Sequence, residues 1–181
     1  MSRSINPGRP SKAAQSLTKQ GILHTALPLV QEYGIEAISF RLLAERLGVT
    51  AMAVKYHAGS RKELLAGLVD MAFANTLVRT EASEPTDRVR IILQTYCARA
   101  LINANLLRAV LEDTSLMCEE MHTITNLLRA EAQALGEQDD VLVFLLVDYT
   151  HGWVLSASCG EDNPLTMTDY LSGLDWILKR A

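Results

Sequence analysis

The chain has 181 residues, of which 49% are hydrophobic, enough for a sizeable core in one domain or two small ones. Its three cysteines are odd in number and widely spaced, giving no pattern for a disulfide framework or a metal site, and its longest apolar run, Val141 to Val147, is far short of a membrane span. A net charge of −4 conceals +5 over residues 1–67 and −9 over residues 68–181, an asymmetry that points to a polyanion-binding end.

Residues 1–15 are polar, with Pro7, Gly8 and Pro10, and read as a flexible basic arm. A cationic leader with an apolar run and cleavage site is not found, so a cytoplasmic protein with no membrane partner is expected. The first helix is predicted from a Thr18 cap through Tyr33 to a glycine stop at Gly34. Ile22, Leu23, Ala26, Leu29, Val30 and Tyr33 form its apolar stripe, and Pro28 is expected to kink it. Ser39 is placed to cap a short helix in which Phe40, Leu43, Ala44 and Leu47 repeat at helical steps before Gly48.

Thr50 caps the next short helix, and Ser60 with Glu63 forms a capping box that opens a longer one running toward Arg79. Beyond the SEPTD break, Thr86 is predicted to cap a helix over 87–104. A shorter one follows near 106–112, and another spans roughly 116–135, ending near Gly136. The segment 139–158 is apolar on almost every side and is expected to be buried on more than one face. A CGEDNP turn leads to a last helix over about 168–180. No strand is predicted, so the fold class is all-α.

The stretch 40–58 carries the most specific pattern. Two short helices cross tightly when a small residue sits at their contact and the turn between them accepts a positive φ. Ala44, Gly48 and Val54 supply the small contact, the turn and an apolar plug at offsets of zero, four and ten. The alternative is an ordinary pair of packed helices. The second helix, AMAVKYHA, is thin and alanine-rich, which suits entry into a DNA major groove about 12 Å wide.

Thr50 and the amides at that helix start suit phosphate. Ala51 and Met52 suit thymine methyl groups, Lys55 a guanine, and Tyr56 a base edge or phosphate; Arg61 is placed for a backbone phosphate. His57 reads either as part of this cluster or as a packed ring.

Across residues 17–70 the sequence resembles the DNA-binding domain of the tetracycline-repressor (TetR) family of bacterial regulators. The resemblance runs through EYGIEAIS, LAERLGV and YHAGSRKELL. It implies that Arg41, the span Thr50 to Tyr56, and Arg61 meet double-stranded DNA, with Arg9 of the GRP arm adding a mobile contact. One departure is Lys55, which stands where the family commonly has an aromatic residue.

For residues 68–181 the sequence alone gives only a helical core. The resemblance implies a three-helix helix-turn-helix DNA-binding domain (16–67) joined by a connecting helix to a helical ligand-binding and dimerisation domain (68–181). In the implied homodimer the 139–158 and 168–180 helices pair with their copies, Gly152 and Ala157 permitting close approach. Its two recognition helices would lie about 34–36 Å apart and read a palindromic operator.

The candidates for lining a small-molecule effector pocket are Phe73, Leu77, Tyr96, Met117, Met121, His122 and His151. The expected function is therefore a ligand-responsive transcriptional regulator, a repressor by the family's habit, released from its operator by an unknown small molecule. Catalytic motifs are missing, and only Cys118 with His122 and Asp148 with His151 invite weighing, so neither an enzyme nor a cofactor is expected. The alternative is a ligand-independent DNA-binding architectural or adaptor protein, which a fully packed second part would favour.

Overall fold

The computed structural model describes residues 17–77, 80–159 and 165–180. The arm expected over 1–15 and most of the turn expected at 159–164 lie outside the described residues. Nine α-helices and two 3-10 turns occur among the described residues, with no strand. They fall into two compact units that divide between Leu65 and Ala66.

The first unit contains α1 (Lys19–Tyr33), a 3-10 turn (Ile35–Ala37), α2 (Phe40–Leu47), α3 (Ala51–Ala58) and the start of α4 (Arg61–Phe73). Side-chain oxygens begin three of these helices: Thr18 accepts from Gly21, Ser39 from Leu42 and Thr50 from Ala53, at 3.1, 3.1 and 3.2 Å. At α4 the reciprocal box closes, the Ser60 amide donating to Glu63 Oε2 at 2.7 Å and the Glu63 amide to Ser60 Oγ at 3.1 Å.

In α1 the residues Ile22, Leu23, Ala26, Leu29 and Val30 are buried as their spacing requires, and the helix runs on through Pro28. Tyr33 departs from the expected stripe: it is 62% exposed, because it is the last residue before the Gly34 stop. Leu43 and Val54, both fully buried, and Ala44 fill the junction where α1, α2 and α3 meet.

The second unit holds the rest of α4, then α5 (Pro85–Ile102), α6 (Ala104–Glu112), a 3-10 turn (Thr114–Leu116), α7 (Glu119–Ala134), α8 (Val141–Ala157) and α9 (Met167–Leu178). The central element is α5, which packs on α6, α7, α8 and α9. Its start differs from the expected Thr86 cap. Pro85 occupies the first helical turn, where its missing N–H costs nothing and its fixed φ suits a helix, so the helix begins earlier.

The helix expected to reach Arg79 stops at Phe73. Asn75 takes a left-handed φ of 55°, and the Thr76 hydroxyl donates to the Phe73 carbonyl at 2.6 Å. The helix expected from 116 begins at Glu119, since Thr114–Leu116 tightens into a 3-10 turn.

Polar groups inside this unit are mostly satisfied. Thr150 donates to the Leu146 carbonyl at 2.7 Å and shares a 2.8 Å hydrogen bond with the buried Tyr170 hydroxyl. Arg88 grips Glu131 through two hydrogen bonds of 2.9 and 2.7 Å, tying α5 to α7. Helices α8 and α9 approach closely at Gly173, where any Cβ would collide with the Tyr149 hydroxyl. That hydroxyl donates to the Tyr170 carbonyl at 2.8 Å, and the two tyrosine rings stack 5.4 Å apart.

Contrary to expectation, α8 is not enclosed on several faces within the chain. Leu142, Val143, Leu146, Trp153 and Val154 are buried, but Val141, Phe144 and Leu145 are 65%, 58% and 49% exposed. On α9, Trp176 is 59% exposed under the guanidinium of Arg180, 3.7 Å from the ring centre.

Candidate functional site

The turn between α2 and α3 is built on Gly48, at φ 66° and ψ 32°. The Val49 amide reaches back to the Ala44 carbonyl at 3.0 Å, closing a left-handed helix stop that satisfies an orphan carbonyl. Val54 and Ala58 face inward from α3, so the helix turns Ala51, Met52, Lys55 and Tyr56 outward on one side. Met52 is 75% and Tyr56 83% exposed, an unusual display for a methionine and a tyrosine.

Thr50, at the head of α3, is exposed with its hydroxyl already accepting from Ala53, and Arg41 is exposed in the first turn of α2. His57 is half-buried, its ring packed edge-on against Tyr56 at 5.2 Å and 87°. No acidic residue lies on α3. The first unit thus presents a thin helix with an alkyl thioether, an ammonium and a phenol on one face. Such a face offers an apolar contact for a thymine methyl, a cation and a hydroxyl for base edges or phosphate.

Arg61 stands apart from that face in its contacts. Its Nη1 donates to the Ile38 carbonyl at 2.9 Å and its Nη2 to the Ile35 carbonyl at 2.8 Å, with Glu36 3.4 Å away. The guanidinium therefore clasps the 3-10 turn that leads into the Ser39 cap of α2. Sequence reasoning places Arg61 on phosphate and misses this clasp, which no local pattern announces because the partners lie 23 and 26 residues upstream. Beside it, the Glu63 carboxyl is held below the usual carboxylate range by the Ser60 amide, with the Ser60 hydroxyl adding to the effect.

In the second unit, α5, α6, α7 and α8 enclose about 520 Å³ of space counting its open mouth, of which about 80 Å³ admits water-sized guests. Tyr96, Met117, Met121 and His151 line it together; Phe73, Leu77 and His122 are not among the lining residues. Phe73 is fully buried with its ring 6.0 Å from that of Tyr96, Leu77 donates its amide to Glu120, and His122 is exposed.

The Tyr96 hydroxyl and His151 Nε2 share a 2.8 Å hydrogen bond. Burial pushes the Tyr96 phenol up and the His151 imidazole down, Asp148 opposing the latter only in part. Both shifts favour the uncharged form. The hydrogen bond of His151 goes to Tyr96, while Cys118 is buried with its thiol pushed up by desolvation and His122 lies exposed. These contacts do not build a nucleophile and its base. Among the described residues no group of three or more His, Cys, Asp or Glu is placed to hold a metal ion, and no helix is long and apolar enough to cross a membrane.

Residues 22–68 match the family model of bacterial regulatory proteins, tetR family. The tetracycline repressor protein class C of Escherichia coli is 37% identical over 54 residues, 30% of this chain, and the match spans only a quarter (25%) of that repressor's length. Solved structures extend the likeness in fold to most of the chain. BioQ of Mycobacterium smegmatis superposes with a TM-score of 0.78 at 20% identity, covering 91% of this chain and 97% of that one. BioQ with its natural double-stranded DNA operator gives 0.71 at 20% identity, covering 88% and 98%. A single-substitution variant of TetR from Acinetobacter baumannii AYE, in complex with minocycline, gives 0.70 at 20% identity, covering 91% and 96%.

Proposed function

We propose that this chain, whose residues 22–68 match the tetR family of bacterial regulatory proteins, is a homodimeric repressor that binds a palindromic operator and is released by a small-molecule effector. Residues 16–67 are the reading head and residues 68–181 the regulatory and dimerisation part. The observation that carries the reading is the outward face of α3, with Met52, Lys55 and Tyr56 displayed above the Gly48 turn. Operator binding in BioQ supports it.

Thr50, Ala51, Met52, Lys55, Tyr56 and His57 enter or flank the major groove, and Arg41 and Arg61 face phosphate. For Arg61 the exposed part of the guanidinium serves this role while its terminal nitrogens hold the 3-10 turn. The homodimer is supported by the open apolar face of α8 and α9, where Val141, Phe144, Leu145 and Trp176 stand exposed. A second copy covering that face presents two recognition helices about 34–36 Å apart, one helical turn of DNA.

Effector release is supported by the cavity of the second unit and by the minocycline bound to the Acinetobacter baumannii TetR variant. A ligand-independent architectural or adaptor protein would have no use for that cavity. Coupling is reciprocal: operator DNA weakens effector binding by the factor by which effector weakens operator binding, typically about 1–3 kcal/mol.

Selection of bound duplexes from a random pool tests the reading. The expected result is an inverted repeat whose half-sites are centred about one helical turn apart. A single half-site, or no enrichment, would overturn the dimeric operator reading.

A further inference from the structure

The cavity of the second unit restricts what it can hold. Its closed end is made by Leu93, Leu107 and Leu128, all fully buried, and its rim by Leu111, 43% exposed, and the exposed Thr114. Among the described residues that line it there is no Asp, Glu, Lys or Arg. Besides the hydroxyls of Thr114 and Thr125, the polar groups on its wall are Tyr96 and His151, hydrogen-bonded to each other. The Thr125 hydroxyl is committed to the Met121 carbonyl at 3.0 Å.

A charged guest entering such a wall loses its hydration and meets no countercharge, which strongly disfavours its entry. The one group on the wall able to become charged near neutrality is the His151 imidazole, and burial disfavours its cationic form. Asp148, one turn before it on α8, is exposed and does not line the cavity. The Tyr96–His151 pair nevertheless has a spare polar capacity. When the phenol donates to Nε2, its oxygen still accepts; when Nε2–H donates to the phenol, the phenolic O–H is free to donate. One pair therefore serves either a donor or an acceptor on the guest by exchanging tautomer.

Resting on the reading of this cavity as an effector site, we propose that its ligand class is a compact, uncharged, largely apolar molecule bearing a single hydroxyl or carbonyl group that pairs with Tyr96 and His151. The cavity leaves about 80 Å³ for a guest, against about 150 Å³ for an apolar cavity that takes up benzene, so a guest with a single ring enters only as the lining gives way. Met117 and Met121, unbranched and adaptable, are the side chains that yield to a ring of that size.

The test uses four probes of one carbon skeleton on the full chain without DNA: benzyl alcohol, toluene, benzoate and benzylammonium at pH 7.5. Binding is read from the 13C-methyl resonances of Met117 and Met121. Benzyl alcohol is expected to shift both and to bind at least about tenfold more tightly than either ion, and more tightly than toluene. In Tyr96→Phe, which keeps the ring against Phe73, His151 Nε2 is left as the single polar partner and the alcohol still binds; with His151→Leu added, the preference of benzyl alcohol over toluene is expected to vanish while toluene still binds.

Equal or tighter binding of benzoate or benzylammonium would overturn the proposal, as would no methyl shift with any probe. So would an undiminished preference for the alcohol when Tyr96→Phe and His151→Leu are combined. The wild-type series stands whether or not that variant folds. Failure of the operator selection would leave this result untouched, and a cavity that binds the alcohol without loosening DNA would overturn effector release but not the ligand class.

Discussion

The guanidinium of Arg61 donates to the carbonyl oxygen of Ile38, at 2.9 Å, across 23 residues of sequence. With the second bond to Ile35 it makes the first turn of α4 a support for the entry into α2. Arg61→Ala is expected to lower unfolding stability by about 1–2 kcal/mol, read as a reduced urea midpoint, and to reduce the salt slope of DNA binding by about one. Arg61→Lys keeps the charge but cannot fork onto two carbonyls. It should restore the salt slope and leave the stability loss; recovery of both would show that the clasp carries no weight.

Gly48 holds the turn by conformation alone, since a Cβ there would meet nothing within 4 Å. Gly48→Ala is therefore expected to cost about 1–2 kcal/mol of stability through its left-handed φ, and Gly48→Asn less. Urea titrations of the three proteins decide it. An alanine variant as stable as the parent would remove the strain argument.

Lys55 and Tyr56 stand exposed on α3, where base edges and phosphate are both within the proposed reach. Each alanine variant should lose about 1–3 kcal/mol against the selected operator and less against duplexes altered at the base pair it reads. Uniform loss across all duplexes would make both residues positioning contacts.

The half-buried imidazole of His151 makes stability depend on pH in a definite direction. Burial lowers its folded pKa below the ordinary 6.5, so the unfolded chain binds the extra proton first. Its contribution is complete above pH 6.5 and is lost as pH falls through the lower folded value. Replacing it, as His151→Gln, should flatten the decline of the thermal midpoint just below pH 6.5. An unchanged profile would mean that the ring is not desolvated in solution.

Phe144 and Leu145 are exposed on α8 without a role in the core of their own chain. If the proposed homodimer pairs through this face, Phe144→Glu is expected to leave the helical content intact, yield a monomer in sedimentation, and weaken operator binding at least about tenfold, because two linked half-sites become one. A dimer that survives this change would place the interface elsewhere.

What can be read in the sequence is local. Thr18, Ser39, Thr50 and the Ser60–Glu63 box announce helix starts because a cap acts over three residues, and Gly34 and Gly48 announce stops for the same reason. The outward set on α3 follows from spacing once Val54 is the buried plug.

Longer-range features are not legible there. The stop of α4 at Phe73 depends on Asn75 accepting a left-handed φ, which its sequence neighbours do not require. The partners of Arg61 and Arg88 lie tens of residues away. In the cavity, Tyr96 and His151 are candidates by residue type, but their mutual hydrogen bond spans 55 residues and needs the folded bundle. Leu77 and His122 are candidates on the same ground and face elsewhere.

The contact of Gly173 with Tyr149 makes two positions on different helices a single unit of change. A side chain at 173 must evict the phenol from the Tyr170 carbonyl, whereas a smaller residue at 149 vacates the room a side chain would need. In chains descended from this one, bulk should therefore move between the two sites by exchange: an alanine or serine at 173 should arrive with a lost phenol at 149.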